Sequence, residues 1–168
     1  RFLTELLRDQ RRVVGRIDGR FLGWDTDYGR EQWTSDPSID AITGPYTAAL
    51  NQYLRRELKY DKDQPYEVLT GKVQPWDFGN AKNRYLNMAV NLRQAMEKNR
   101  DLRVFVGSGY DDLATPFFAT EYTFNHLGPD PDLSSRVTMV YFETGHMMYV
   151  HKPSLGKLKK DLAAFVGS

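Results

Sequence analysis

The chain has 168 residues, a length that suits one domain of ordinary size. Its 40% hydrophobic and 27% charged residues, with 3 Trp, 10 Tyr and 9 Phe to fill a core, predict a globular chain and exclude a disordered one. A formal net charge of +1 gives no general pull toward nucleic acid or a membrane surface, no run approaches the ~20 apolar residues of a membrane span, and the absence of cysteine removes both a disulfide framework and a thiolate nucleophile.

The chain opens on Arg1-Phe2-Leu3, directly in amphipathic sequence and without a starting Met or a signal-peptide core, so it is expected to be part of a longer protein. Residues 1–16 place Phe2, Leu3, Leu6, Leu7, Val13 and Val14 on roughly helical spacing. That spacing would put Arg8, Arg11 and Arg12 on one face. A basic helix face can meet phosphates and would bind nucleic acid with a steep salt dependence. The near-neutral chain favours the plainer reading of a solvated face, and no nucleic-acid or membrane partner is expected.

Residues 17–44 read as an irregular connector, broken by Gly19, Gly23 and Gly29 and carrying Trp24, Tyr28 and Trp33. Asp25 and Asp27 lack the Gly and terminal Glu spacing of a calcium loop, so no metal is expected there. Gly44-Pro45 is expected to start a helix, because proline is well tolerated at the first helical position. Its apolar face would be Tyr46, Ala49, Leu50, Tyr53, Leu54 and Leu58, with Arg55, Arg56 and Lys59 at the dipole's negative end. A charged turn over 60–65, a short strand over 66–69 and a loop over 72–80 with two exposed-type aromatics follow. Residues 85–99 read as a helix with the stripe Leu86, Ala89, Leu92, Ala95 and Met96, a core face rather than a cofactor site.

From residue 102 the pattern changes. A strand over 102–106 runs into a Gly-rich bend and the acidic tip Asp111-Asp112. A helix over 117–127 turns Phe117, Phe118, Tyr122 and Leu127 inward, and a polar loop spans 128–135. The nearly unbroken apolar run 137–142 reads as a strand covered on both faces. Pro153 opens a last helix with Leu155, Leu158, Leu162, Phe165 and Val166 apolar and Lys157, Lys159 and Lys160 outward. Strand–helix–strand–helix predicts a parallel βαβα unit, in which function gathers at the carboxyl ends of the strands.

Asp112 and His146 both fall just past such ends, one βαβ unit apart. Adjacent strands lie ~4.8 Å apart, so side chains beyond their ends can meet. A carboxylate there can orient an imidazole that acts as general base. Each residue also has a plain structural use. Either aspartate of the tip can close a turn or cap the next helix, and His126 and His151 are read as structural. The order Asp then His is the last two thirds of the α/β-hydrolase order Ser, Asp, His. No G-x-S-x-G occurs, and Gly107-Ser108-Gly109 lacks the spacing. Either the serine lies on a segment outside this chain, or the chain is not a hydrolase.

The stretch GYDDLATP from Gly109 to Pro116 and the run Gly145-His146-Met147 resemble the acid and histidine segments of the serine carboxypeptidases, in their bacterial branch. The likeness extends through ATPFFATEYTFNHLG, VQPWDFG and the first helix, and so covers most of the chain. It implies the C-terminal part of an α/β-hydrolase fold: residues 1–100 as a helical insertion, or cap, with its return to the sheet, and 101–168 as the βαβα unit of the core. It further implies Asp112 and His146 as triad members. Met147 would help line the pocket for the leaving C-terminal residue, with Thr115 at its border. The implied partners are a peptide substrate and an N-terminal portion that carries the serine, in a periplasmic or secreted protein that needs no cofactor. Alone, the chain would be inactive, and an uncovered strand edge would favour a homodimer. Tyr110 stands where the family has aspartate, and Tyr149 where eukaryotic members often have proline. A non-catalytic interaction module that uses the 17–44 connector and the aromatic loops is the competing reading.

Overall fold

The computed structural model describes residues 1–26, 35–67, 70–82 and 85–167. They mix helix with two small sheets and divide into two units, Arg1–Ser38 with Asn87–Ser168, and Ile39–Leu86.

In the first unit the chain begins with a single helical turn, α1 (Phe2–Glu5), and a 3-10 turn at Arg8–Gln10. Strand β1 (Arg12–Val14) follows and pairs antiparallel with β2 (Leu22–Trp24). The helix expected over 1–16 is therefore not formed. Arg11 takes a left-handed conformation (φ 55°) that ends the helical path, and the β-branched Val13 and Val14 are buried as a strand. The three arginines consequently share no face: Arg8 bonds Glu5 at 3.1 Å, while the Arg12 guanidinium lies 3.6 Å from the Trp24 ring centroid. Part of the expected 17–44 connector is thus ordered structure. Asp27, Tyr28, Gly29 and Trp33 lie outside the described residues.

Helix α2 (Pro37–Arg56) starts eight residues before the expected Gly44-Pro45 and keeps Pro45 inside it. The stronger start signal is Asp36-Pro37-Ser38. The Asp36 carboxylate accepts from the Ser38 N–H at 3.0 Å and from its hydroxyl at 2.5 Å, and Pro37 follows it with a preset φ. Pro45 deletes one helical hydrogen bond without ending the helix. The other described residues of the second unit form no further α-helix or strand, with 3-10 turns at Gly71–Val73 and Gly79–Ala81. Trp76 and Phe78 are exposed there, as a loop over 72–80 predicts. Of the short strand expected over 66–69, Tyr66 and Glu67 are not in a strand, and 68 and 69 lie outside the described residues.

The first unit resumes with α3 (Ala89–Lys98), shorter than the expected 85–99, its first N–H accepted by the Asn87 side chain at 3.0 Å. Met96 on its inner face is fully buried against Leu127 and Leu133. Strand β3 (Val104–Gly109), helices α4 (Phe117–Asn125) and α5 (Pro131–Ser135), strand β4 (Val137–Phe142) and helix α6 (Lys152–Gly167) complete it. Helix α5 lies in the expected 128–135 loop, capped by Asp130, whose side chain accepts from the Asp132 N–H at 3.0 Å. Strands β3 and β4 run parallel in register from Val104↔Val137 to Gly109↔Phe142, the expected βαβα connection.

The packing expected around α4, β4 and α6 is met in part: Phe117 and Leu127 turn inward as expected, while other positions do not. In α4 the inner face is Phe117, Glu121 and Phe124, because Glu121 accepts the Tyr141 hydroxyl at 2.6 Å. This turns Phe118 and Tyr122 outward. In β4 only Phe142 is fully buried and Thr138 is exposed, so the apolar run is not covered on both faces. Along α6, Leu155, Leu162 and Val166 are exposed, while Phe165 packs on Phe105 with ring centroids 5.4 Å apart. Lys157 is exposed, as expected; its ammonium pairs with Asp161 at 2.6 Å and lies 4.7 Å from the Phe142 ring centroid.

Candidate active site

The last register pair, Gly109↔Phe142, brings the chain out of β3 and β4 at neighbouring points. The two exits stay zipped: the Tyr110 N–H donates to Phe142 O and the Asp111 N–H to Thr144 O, each at 3.0 Å. Sheet geometry thereby carries Asp112 and His146 to the same place from positions 34 apart in sequence.

Asp112 is buried at 4% exposure and uses both oxygens. Oδ1 accepts from the Ala114 and Thr115 N–H groups, both at 2.9 Å, which closes a turn. Oδ2 accepts the Thr115 hydroxyl at 2.6 Å and lies 2.8 Å from Nδ1 of His146. The structural and the chemical readings of this aspartate are both realised, one on each oxygen. Asp111 is half-buried, and its carboxylate approaches Nε of Arg20 at 3.9 Å. Neither aspartate caps α4, whose N-cap is Pro116. Burial alone would raise the Asp112 pKa. The Thr115 hydroxyl and N–H, His146 and the Ala114 N–H together outweigh it and hold the carboxyl below its ordinary value, so it is ionised at neutral pH.

An ionised Oδ2 requires the proton of the shared bond to sit on Nδ1. The neutral ring then presents Nε2 as a base. The His146 side chain is 51% exposed, so the base can be reached from solvent while its carboxylate partner cannot. Met147, next in the chain, is buried. The Thr115 hydroxyl sits 3.2 Å from Nδ1 as well as on Asp112. Ser108 is buried within β3 rather than placed on a turn. His126 lies 2.6 Å from Tyr122 O through Nδ1, and His151 lies 2.8 Å from the Ser154 hydroxyl, so both serve local structure.

Sequence reasoning missed the segment that lies against both loops. The turn between β1 and β2 bonds the Asp112 loop through Gly19 N–H to Asp111 O (2.8 Å) and Leu113 N–H to Arg16 O (3.0 Å). It bonds the His146 loop through His146 N–H to Ile17 O (2.7 Å) and Gly145 N–H to Asp18 Oδ2 (3.1 Å). Asp18 is fully buried and takes Nε and Nη2 of Arg20 at 2.9 and 2.7 Å. Arg20 also donates to the Thr144 hydroxyl at 2.5 Å and to Glu143 O at 3.2 Å. The available signal is local: Gly15, and the Asp18-Gly19 pair of an Asp-Gly-Arg turn, lie between the short apolar runs Val13-Val14 and Phe21-Leu22, a hairpin pattern.

Gly145 can be only glycine here. A Cβ would meet the Ile17 carbonyl oxygen and come within 2.5 Å of Asp18 Cα. Gly145→Ala is expected to lose about 1–3 kcal/mol by backbone overpacking. In α6, Gly156→Ala, which meets nothing within 4 Å, gains about 0.5–1 kcal/mol. Denaturant midpoints at unchanged slope measure both, and equal midpoints for the two variants would contradict the contact.

Among the described residues no group of three or more His, Asp or Glu side chains is placed to hold a metal ion. No protein-family model matches the chain, and neither a characterised protein nor a solved structure resembles it closely enough to count as a match.

Proposed function

We propose that this chain supplies the acid and the base of a serine carboxypeptidase triad, as the C-terminal part of an α/β-hydrolase fold. The nucleophilic serine comes from residues outside it. The observation that carries this reading is the 2.8 Å pair between a buried, ionised Asp112 and a half-exposed His146 at the ends of two adjacent parallel strands. The ordered likeness of GYDDLATP and Gly145-His146-Met147 to the family's segments supports it.

In this reading the serine attacks the last peptide carbonyl of the substrate. Nε2 of His146 takes the hydroxyl proton and gives it to the leaving amine. Water then attacks the acyl-enzyme with the same imidazole as base. Asp112 keeps its proton off throughout: it fixes the ring's tautomer and stabilises the imidazolium. Met147 and Thr115 border the site of the departing residue.

A fluorophosphonate, which labels activated serines, tests the proposal. The longer protein is labelled and the 168-residue chain alone is not. Labelling of the isolated chain would overturn the placement of the nucleophile, and labelling of neither would favour a non-catalytic interaction module.

A further inference from the structure

We propose that Asp18 and Arg20 are positioning residues that set the register of the His146 loop against the Asp112 loop. The inference rests on the reading of Asp112 and His146 as acid and base for its catalytic consequence.

The His146 ring is half-exposed and its one close side-chain hydrogen bond, from Nδ1 to Asp112, fixes a ring only weakly by itself. Its orientation must come from the backbone that carries it. That backbone is tied to segment 17–20 at four points: His146 N–H to Ile17 O, Gly145 N–H to Asp18 Oδ2, and Arg20 to the Thr144 hydroxyl and to Glu143 O. The Asp112 loop is tied to the same segment on both sides of Asp112, through Gly19 and Arg16. Segment 16–20 is thus a crosspiece between the two loops.

Asp18 and Arg20 are the members of that crosspiece whose side chains do the tying. Neutralising Asp18 takes Nε and Nη2 of Arg20. The same guanidinium then reaches two further acceptors, and both lie on the His146 loop. The second capacity of Asp18 Oδ2 goes to the N–H next to His146. A planar fork with five fixed donors can meet this set at once, whereas an ammonium point charge cannot. Supporting shells of this kind fix the geometry of catalytic groups, and a shift of about 1 Å is enough to reduce a rate by about 10²-fold.

The test follows the Nδ1 proton of His146 by NMR in chain carrying ¹⁵N-labelled histidine. Asp112→Asn identifies its signal, while His126 and His151 report the fold. In Arg20→Lys and in Asp18→Asn the proton is expected to exchange with water about tenfold faster, as the loss of one well-made hydrogen bond allows. The signals of His126 and His151 should stay in place. A folded variant decides. Unchanged exchange at His146 overturns the inference, and so does loss of all three native signals in both variants, since the pair then holds the fold rather than the dyad. In the longer protein Arg20→Lys lowers kcat with little change in KM. If that protein proves to have no peptidase activity, the functional reading falls while the exchange result still judges the positioning role.

Discussion

On the proposed carboxypeptidase reading, Asp112→Asn is expected to lower the peptidase turnover of a longer protein that carries the serine by about 10⁴-fold, the size of effect known for the orienting aspartate of Ser-His-Asp proteases. The structure says why the effect is so large when the change in shape is so small. Oδ1 of Asp112 accepts two backbone N–H groups, from Ala114 and Thr115. In the variant only the amide oxygen can occupy that position, because the amide nitrogen has no lone pair to offer. The turn therefore forces the new NH₂ group toward His146. Facing a donor, Nδ1 becomes an acceptor and the ring proton moves to Nε2, the nitrogen that takes the serine proton in the proposed mechanism. The fold is kept and the base is lost. His146→Ala removes the base itself and is expected to lower turnover by about 10⁶-fold, as in other triads. Steady-state kcat/KM on a peptide with a free C-terminus measures both. Near-normal turnover in either variant would sink the assignment.

The elements that could be read from sequence are those whose signals are local. Two apolar runs separated by one helix gave a parallel pair, and the residues just beyond their ends, Asp112 and His146, meet as strand geometry requires. Where a local signal had competitors, the reading failed. Residues 1–16 have helical spacing, yet Val13 and Val14 pair with Gly23 and Leu22, and tertiary pairing overrides weak propensity in so short a stretch. Gly44-Pro45 is read from sequence as the helix start, but an earlier signal lies upstream of it. Asp36-Pro37-Ser38 won because Asp36 supplies an acceptor for the first turn and also takes the Arg16 N–H at 3.1 Å. Asp18 was illegible for a deeper reason. Its burial is made possible by Arg20, two positions away, but its position depends on Gly145, 127 positions away. A buried polar group satisfied by a distant partner leaves no periodic trace.

Arg20→Met is expected to destabilise the chain at neutral pH by about 3–5 kcal/mol, because it leaves the buried carboxylate of Asp18 without its counter-charge. Methionine keeps much of the apolar stem, so lost packing is a minor part of the effect. The pH dependence separates charge from packing. In the native chain burial acts to raise the Asp18 pKa. The Arg20 fork, the Arg20 N–H, the Arg20 charge and the Gly145 N–H outweigh that effect and hold it below the ordinary value. A folded pKa below the unfolded one, about 3.9, contributes stability that is present above that value and lost as pH falls through the depressed one. Asp112 adds a contribution of the same sign. In Arg20→Met the guanidinium's bonds and charge are gone while the N–H bonds from residue 20 and Gly145 remain, so less opposes burial and the folded pKa of Asp18 is expected to rise above its native one. Protonation then relieves the variant first: the difference between the two proteins is greatest near neutrality and shrinks as pH falls through the variant's Asp18 pKa toward the depressed native one. Asp18→Asn, which removes the charge at the outset, should flatten its own profile and approach native stability at acid pH. Urea unfolding at a series of pH values measures all three, and a constant difference between the native chain and Arg20→Met across that range would show that Asp18 carries no buried charge.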